Sequence, residues 1–485
     1  MKLGADIRKK SERGVFSQLL STVGNRVVHA FSTVVLMRLM GPEQFGIIGF
    51  AVIFKELVLL FSSWGVGDAV IQKRGKDDLV AAGQLLSVAR SLTFFVLLFI
   101  AAPFAATFFE TPEVKIVVRV SALLLLIGPI GFVPRLRMQI ELHFTMLAVI
   151  SFLGALVNAA VAISSAMAGL GYLSIVYGNV AGAITGLLGA WIAQPGIVNP
   201  RKATRKGMRE ILGFGYNITL SGLVSWIYLN IDDLIVGKLL GRTVLGLYTK
   251  AYWMATLPSE TLGRILYNVT FPVYVRLKDD YERLTRAFLE VYTMNVFLSL
   301  PAIIGILVLS SKIVPIVFGP EWVGMIGILE ATCIVGLLRA IYGQANSVFK
   351  AVGRPDYFWK AALVQAGIVV TLGYWATTIW GVYGMLGALV VAMSWGFVVY
   401  SYLAFYRVLR VPVVPYLASL RPIILSTAAM GIFTYLARPM VSDFYTLIGL
   451  ILTSAALYFI LVYLLGGRNL IDKSIGIAKR ITGRE

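Results

Sequence analysis

The 485-residue chain contains few of the residues from which soluble enzymes and metal centres are built. Charged residues make up only 14% of it, against roughly 25% in soluble domains. The single cysteine, Cys333, excludes a disulfide framework and a thiolate zinc site. Two histidines, His29 and His143, are too few for a histidine-built metal centre, so we predict no metal site. The class of soluble enzymes is therefore excluded.

Long apolar segments dominate what is present. Hydrophobic residues make up 58% of the chain, and the mean hydropathy is +0.82. Because lipid offers no partner to an exposed amide, segments that cross about 30 Å of hydrocarbon must be helical. We predict an all-α polytopic membrane protein with about fourteen transmembrane helices. The predicted spans are 16–38, 44–64, 80–104, 114–134, 146–168, 172–194, 211–235, 245–268, 287–310, 323–346, 357–378, 382–406, 418–438 and 444–466.

Basic residues are concentrated in alternate connecting segments. The chain has 43 Lys and Arg against 24 Asp and Glu, for a net charge of +19. The first segment, every second loop after it and the C-terminal tail hold most of these cations, which is the pattern of cytoplasmic segments. We therefore predict a multi-pass membrane protein with both termini in the cytoplasm. The excess charge indicates topology and membrane lipids as partners, and we predict no nucleic-acid partner.

A sequence repeat divides the chain into two similar halves. The segment Arg38–Gly46 aligns with Lys238–Gly246, 200 positions later, and each copy lies between an odd and an even predicted helix. Parallel repeats of six helices are typical of transporters with a central cavity between two lobes. We predict four regions, namely an N-terminal lobe at 1–194, a basic cytoplasmic linker at 195–210, a C-terminal lobe at 211–406, and two further helices with a basic tail at 407–485.

Three cations lie well inside predicted spans of the first lobe. Arg26, Lys55 and Arg90 are each about ten residues from a span end, hence roughly 15 Å deep at 1.5 Å per residue. Charged residues at this depth are costly and usually functional. They predict a cationic patch that binds an anionic substrate. The alternative is an internal ion-pair network, for which Glu56 is a candidate.

The second lobe carries further cations in its spans, namely Lys250, Arg264 and Arg339. Glu260 and Arg264 are four residues apart, so they either pair on one helix face or form part of a charged stripe along the cavity. Glu330 needs a partner, and Arg339 is too far along the same helix to provide it.

Two adjacent acids close the seventh predicted span. Asp232 and Asp233 are candidates for binding a coupling Na⁺ or proton, although no other cofactor is indicated. The alternative is ion pairing with Lys238 or Lys250.

Several motifs resemble those of a known transporter family. They are Asn230–Gly241, Leu245–Tyr248, Phe271-Pro272, Arg38–Gly46, Ala69–Gln72 and Phe318–Trp322. Together they are similar to the polysaccharide transporter family of Wzx-type flippases, in the superfamily of multidrug, oligosaccharidyl-lipid and polysaccharide exporters. The resemblance implies alternating access that carries an undecaprenyl-pyrophosphate-linked oligosaccharide across the cytoplasmic membrane for O-antigen or exopolysaccharide biosynthesis.

The same resemblance implies contacts and partners. The pyrophosphate suits the predicted cationic cavity, and by position the candidates for sugar contacts are Asn25, Tyr216, Asn217 and Tyr228. Candidate partners besides the lipid-linked oligosaccharide are a polysaccharide polymerase and the export machinery. The protein is then no enzyme. A cation-coupled drug exporter of the same superfamily remains the alternative function, and a membrane polysaccharide polymerase is a weaker one.

Overall fold

Helices form nearly all of the structure. The computed structural model describes residues 2–62, 66–72, 76–412, 418 and 420–467, and within these ranges it contains no strand. The α-helices, numbered α1 to α16 in order, are Lys2–Leu39, Pro42–Ser62, Val66–Gln72, Asp77–Phe108, Glu113–Ile130, Phe132–Ile140, Phe144–Met167, Leu173–Ala193, Arg205–Leu277, Tyr281–Ile313, Ile326–Tyr342, Ala345–Ala351, Asp356–Ile368, Tyr374–Ser401, Arg421–Ala437 and Phe444–Val462. The all-α prediction is confirmed.

Eight of the helical segments in the described ranges are long and apolar enough to cross a membrane. A ninth is added if Glu113–Ile130 and Phe132–Ile140, which meet at 50°, are one bent span. One of the eight, Asp356–Leu409, has 54 residues and would be about 81 Å long if straight, so it contains more than one crossing. These findings confirm a polytopic membrane fold, while the count of fourteen stays a prediction.

Glycines interrupt helices α9 and α14 where the sequence predicts a turn. Helix α9 is broken at Gly241, whose φ of 79° and ψ of −179° lie in a region that only glycine adopts without strain. Gly381 interrupts α14 in the same way, with φ 57° and ψ −142°. The two breaks fall between predicted spans 211–235 and 245–268 and between 357–378 and 382–406.

The chain forms two compact units. The first comprises Met1–Asn230 with Gly241–Gly246, and the second comprises Ile231–Leu240 with Leu247–Glu485. In the first unit, α7 packs on α1 and α8, and α5 packs on α2 and α4. The boundaries predicted for the lobes and the linker are not tested by this division and stay predictions.

In the second unit, α10 and the two last helices pack together. The buried Tyr458 of α16 donates its hydroxyl to the Phe297 carbonyl of α10 over 2.7 Å, and their rings lie 5.6 Å apart. Thr434 of α15 donates to Ser454 of α16 over 2.8 Å. These bonds satisfy polar groups that are buried among these helices.

Large apolar side chains also cover much of the surface. Ile192 is 83% exposed and Leu436 is 71% exposed. Exposed apolar residues at this frequency are unfavourable in water but suit contact with lipid.

Candidate functional site

An acid and a tyrosine from the two sides of the Gly241 break meet in the second unit. Asp232 is only 6% exposed, and its carboxylate accepts a hydrogen bond of 2.6 Å from the hydroxyl of the fully buried Tyr248. The break folds the two arms of α9 against each other, which brings these residues together across sixteen positions. One turn further, the ring of Tyr252 lies 6.0 Å from that of Tyr248.

Arg339 extends this arrangement from α11. Its Nη1 donates to the Tyr252 hydroxyl over 2.9 Å and lies 3.4 Å from a Glu260 carboxylate oxygen. Its charge also acts on the buried Asp232. We call the set Asp232, Tyr248, Tyr252, Glu260 and Arg339 the Arg339 network. Glu260 contacts the guanidinium directly, whereas Asp232 is linked to it through Tyr248 and Tyr252.

The remaining candidate residues of the second lobe are not part of the Arg339 network. Lys250 interacts electrostatically with Asp233, one of the two pairings that the sequence leaves open for that acid. Glu330 accepts a 2.7 Å hydrogen bond from Ser310 of α10. The side chain of Arg264 lies outside those that the structure describes, so its predicted pairing with Glu260 stays a prediction.

The cations of the first unit lie in a different environment. Arg90 on α4 is half-buried, and its Nε has no hydrogen-bond partner. Lys55 on α2 is also half-buried, whereas Glu56 is exposed. In the part of the chain that the structure describes, neither Lys55 nor Arg90 is within ion-pair distance of a carboxylate. The half-buried Arg26 on α1 does interact with other residues.

The residues proposed to contact sugar are described in part. Asn25 donates to the Ser151 hydroxyl of α7 over 2.9 Å, next to the 3.0 Å bond from Ser21 to the Ala148 carbonyl. Asn25 thus helps to join α1 to α7. Tyr228 is half-buried. The side chains of Tyr216 and Asn217 lie outside those that the structure describes.

The two copies of the sequence repeat meet within the first unit. A Cβ added at Gly46 would collide with the Arg242 carbonyl, and one added at Gly246 would collide with the Pro42 carbonyl. Positions 42 and 242 correspond in the repeat, as do 46 and 246, so the contact is reciprocal. We call it the repeat contact. Only glycine at both positions permits this approach of the two backbones.

Arg242 adds a charged component to the repeat contact. Its Nη2 lies 2.5 Å from a Glu43 carboxylate oxygen, and its Nη1 donates to Glu113 over 3.1 Å. These three residues are not among the sites predicted from the sequence, because nothing in their spacing shows that they meet.

Arg119 was also missed, although it lies within a predicted span. Its guanidinium carbon is 4.4 Å from the centre of the Phe99 ring, a cation–π contact. Its place in an apolar run is the signal in the sequence that identifies it as a candidate. No group of three or more His, Cys, Asp or Glu side chains able to hold a metal ion occurs among the described residues.

These features define an all-helical membrane protein that contains an internal repeat. Residues 35–327 match the family described as "Polysaccharide biosynthesis protein", and the chain belongs to this family. The resemblance seen in the sequence motifs is thereby confirmed.

Two relatives align over most of the chain. TuaB of Bacillus subtilis, a teichuronic acid biosynthesis protein, is 27% identical over 79% of this chain and 79% of its own length. WzxC of Escherichia coli, a lipopolysaccharide biosynthesis protein, is 26% identical over 73% of this chain and 72% of its own. Among solved structures, the lipid II flippase MurJ in an inward closed conformation superposes with a TM-score of 0.75 at 16% identity. That alignment covers 94% of this chain and 99% of MurJ, which shows a shared fold.

Proposed function

We propose that the protein is a flippase that carries an undecaprenyl-pyrophosphate-linked oligosaccharide across the cytoplasmic membrane by alternating access. Support comes from membership of the polysaccharide biosynthesis family and from relatives named for teichuronic acid and lipopolysaccharide biosynthesis. The protein is a transporter and not an enzyme, in keeping with the fold that it shares with the lipid II flippase MurJ.

The half-buried Arg90 is the observation in the structure that favours an anionic substrate. A cation removed from water without a carboxylate and with an unsatisfied Nε carries a cost of several kcal/mol by most estimates. A pyrophosphate would offset that cost, because guanidinium forms short, charge-assisted bonds to phosphate oxygens. In our proposal Arg90, Arg26 and Lys55 bind the pyrophosphate, and polar side chains elsewhere in the cavity contact the sugar.

The Arg339 network has a different role in this proposal. Asp232 and Glu260 already interact with Tyr248 and Arg339, so we propose that they stabilise the second lobe instead of binding a drug-like cation. The positive electrostatic potential of the cavity would then come in part from Lys250, Arg264 and Arg339. Asp233 would neutralise part of this positive charge. Coupling to Na⁺ or H⁺ through Asp232, Asp233 or Glu330 is a further proposal that transport at varied pH and Na⁺ would test.

The direct test of the proposed function follows the lipid-linked repeat units in cells. Deleting the gene should make these units accumulate, and they should be inaccessible to a reagent confined to the outside of the membrane. The wild-type gene should restore surface polysaccharide. Normal surface polysaccharide in the deletion strain, without accumulation of lipid-linked units, would refute the proposal.

Orientation is proposed from the positive-inside pattern and is tested separately. A reporter active only outside the cytoplasm should be silent after Lys206 and at Glu485, and active when inserted near Glu110. An active reporter at Glu485 would require an odd number of spans, if the N-terminus is cytoplasmic.

A further inference from the structure

A polar cavity of about 320 Å³ lies in the second unit, and none of the candidate transport residues lines it. Three chain segments surround it, namely the turn between α9 and α10, the turn before α13, and the end of the helical segment Tyr402–Leu409 that continues α14. We call it the basic pocket, and it is lined by Lys278, Asp279, Tyr281, Val352, Arg354, Tyr357, Arg407 and Val408.

Cations outnumber acids in the lining. Lys278, Arg354 and Arg407 face a single lining acid, Asp279. All three cations are exposed, so water and a soluble or membrane-surface ligand can reach them. The buried Val408 contributes an apolar wall.

Neighbouring side chains hold the Arg354 guanidinium in place. Its Nε and Nη2 donate to the two carboxylate oxygens of Asp356 over 3.0 and 3.3 Å. Its Cζ lies 4.1 Å from the centre of the Tyr357 ring, which packs edge-on against Phe349 at 5.7 Å. The fork to Asp356 uses Nε and Nη2, so Nη1 retains donors for a ligand. A guanidinium fixed in this way loses little side-chain entropy when a ligand binds.

We propose that the basic pocket binds a phosphate group, carried either by the headgroup of an anionic membrane lipid or by a soluble phosphate compound. Guanidinium and ammonium donors converging on a small hydrated cavity suit phosphate oxygens. The volume is at the lower end of the range for ligand pockets, which fits a headgroup better than a large metabolite.

The position of the pocket supports the same ligand class. Its three segments are among those that the distribution of basic residues predicts to be cytoplasmic, and basic pockets between helices on that side bind anionic headgroups. The lining shares no residue with the proposed transport site, so the proposal does not depend on the transported substrate.

The test measures ligand-dependent thermal stability of the full-length protein in lipid nanodiscs. One arm compares phosphatidylcholine discs with discs that also contain phosphatidylglycerol. The other arm adds inorganic phosphate or glycerol 3-phosphate to phosphatidylcholine discs, with chloride at matched ionic strength as the reference. A Tm rise confined to the first arm identifies a lipid headgroup, and a rise in the second identifies a soluble phosphate.

The decisive variant is the double substitution Lys278→Gln, Arg407→Gln. Its matched control is Arg276→Gln, Arg286→Gln, which removes the same charge from nearby exposed positions that do not line the pocket. We expect the pocket variant to weaken the apparent affinity ~10-fold or more, since a lost charge-assisted bond has effects of this size. The control should bind as the wild type does.

Two outcomes would overturn the proposal, namely equal binding by both double variants or no Tm rise with any of the probes. If the pocket variant already has a lower Tm in phosphatidylcholine alone, the single substitutions Lys278→Gln and Arg407→Gln replace it. Each should then weaken binding with an unchanged starting Tm, and unchanged binding in both would count against the site.

Discussion

Arginines in the two units lie in contrasting surroundings. Arg339 of the second unit has a 17% exposed side chain that contacts Glu260 and the Tyr252 hydroxyl, and its charge also acts on Asp232. Arg90 of the first unit is half-buried with an Nε that lacks a hydrogen-bond partner. A charge inside a protein must be compensated. Other residues of the chain compensate the charge of Arg339, whereas a bound ligand can compensate the charge of Arg90. Two partly buried arginines of one protein can therefore have different functions.

The largest effect, a loss of polysaccharide export, is expected from removing the cations of the first unit. The double substitution Arg26→Ala, Arg90→Ala should abolish or severely reduce export while the protein stays folded and inserted. Each lost contact to phosphate should weaken headgroup binding ~10–100-fold. The measurement is surface polysaccharide alongside membrane protein level.

Lysine substitutions sharpen this prediction. Arg26→Lys and Arg90→Lys should restore export in part, because lysine keeps the charge but lacks the guanidinium fork. Normal export by a well-expressed double alanine variant would leave these cations as internal structure and remove the contrast with Arg339.

A large effect on stability, not on substrate binding, is expected from Arg339→Ala. The substitution leaves Glu260 without its cation and removes a donor to Tyr252, at a cost of about 1–3 kcal/mol. Thermal unfolding in detergent should show a lower Tm for Arg339→Ala and an unchanged Tm for the matched Arg90→Ala. If Arg90→Ala lowers the Tm as much as Arg339→Ala does, the two arginines have the same structural role.

Substitution of either glycine in the repeat contact should destabilise the protein by a similar amount. Gly46→Ala and Gly246→Ala each place a methyl group against a backbone carbonyl, and overpacking of this kind costs about 1–3 kcal/mol. Gly128→Ala is the matched control, since a Cβ there meets nothing within 4 Å. Chemical or thermal unfolding of the three variants checks the prediction, and unequal losses at positions 46 and 246 would contradict the reciprocity.

The smallest effect on thermal stability is expected from replacing an acid that interacts mainly with the end of its own helix. Asp443 accepts hydrogen bonds from the backbone N–H groups of Thr446 and Tyr445, and the first of these is the main cause that holds its pKa below the ordinary value of 3.8. Since the folded-state pKa is the lower one, the carboxylate stabilises the fold above about pH 4, and this contribution is lost as the pH falls through the folded-state pKa.

Asp443→Ala should therefore lower the Tm at neutral pH, and its difference from the wild type should shrink in acid. Asp279→Ala, which removes an exposed acid that caps no helix, is the control. A difference for Asp443→Ala that is constant with pH would show that the charge of the carboxylate contributes nothing.

Helix boundaries were predictable from the sequence because glycine and hydropathy determine them locally. The turn at Gly169-Leu170-Gly171 separates α7 from α8, with positive φ at both glycines, and the breaks at Gly241 and Gly381 fall in predicted gaps. The family also followed from local motifs. The number of spans stays a prediction, because α9 and the segment Asp356–Leu409 each extend over two predicted spans, with interruptions at Gly241 and Gly381.

Side-chain partners were not predictable, because they depend on how helices are rotated against each other. Glu260 meets Arg339 from α11, 79 positions away, and Asp232 meets Tyr248 only because α9 folds back at Gly241. Arg242 likewise reaches Glu113 across 129 positions. Spacing along one helix identifies candidates on a common face, whereas these partners come from other segments.

The repeat contact has the form of an isologous interface between two subunits. In a two-fold symmetric homodimer, the patch at one position meets the corresponding position of the partner and the reverse contact is made as well. Positions 42 with 246 and 46 with 242 obey this rule inside one polypeptide. A shorter chain with one copy of the motif would present the same self-complementary patch, so its simplest stable assembly would be a symmetric dimer. In the single polypeptide, by contrast, the two copies can carry different residues at corresponding positions, as Pro42 and Arg242 do, while both glycines are retained.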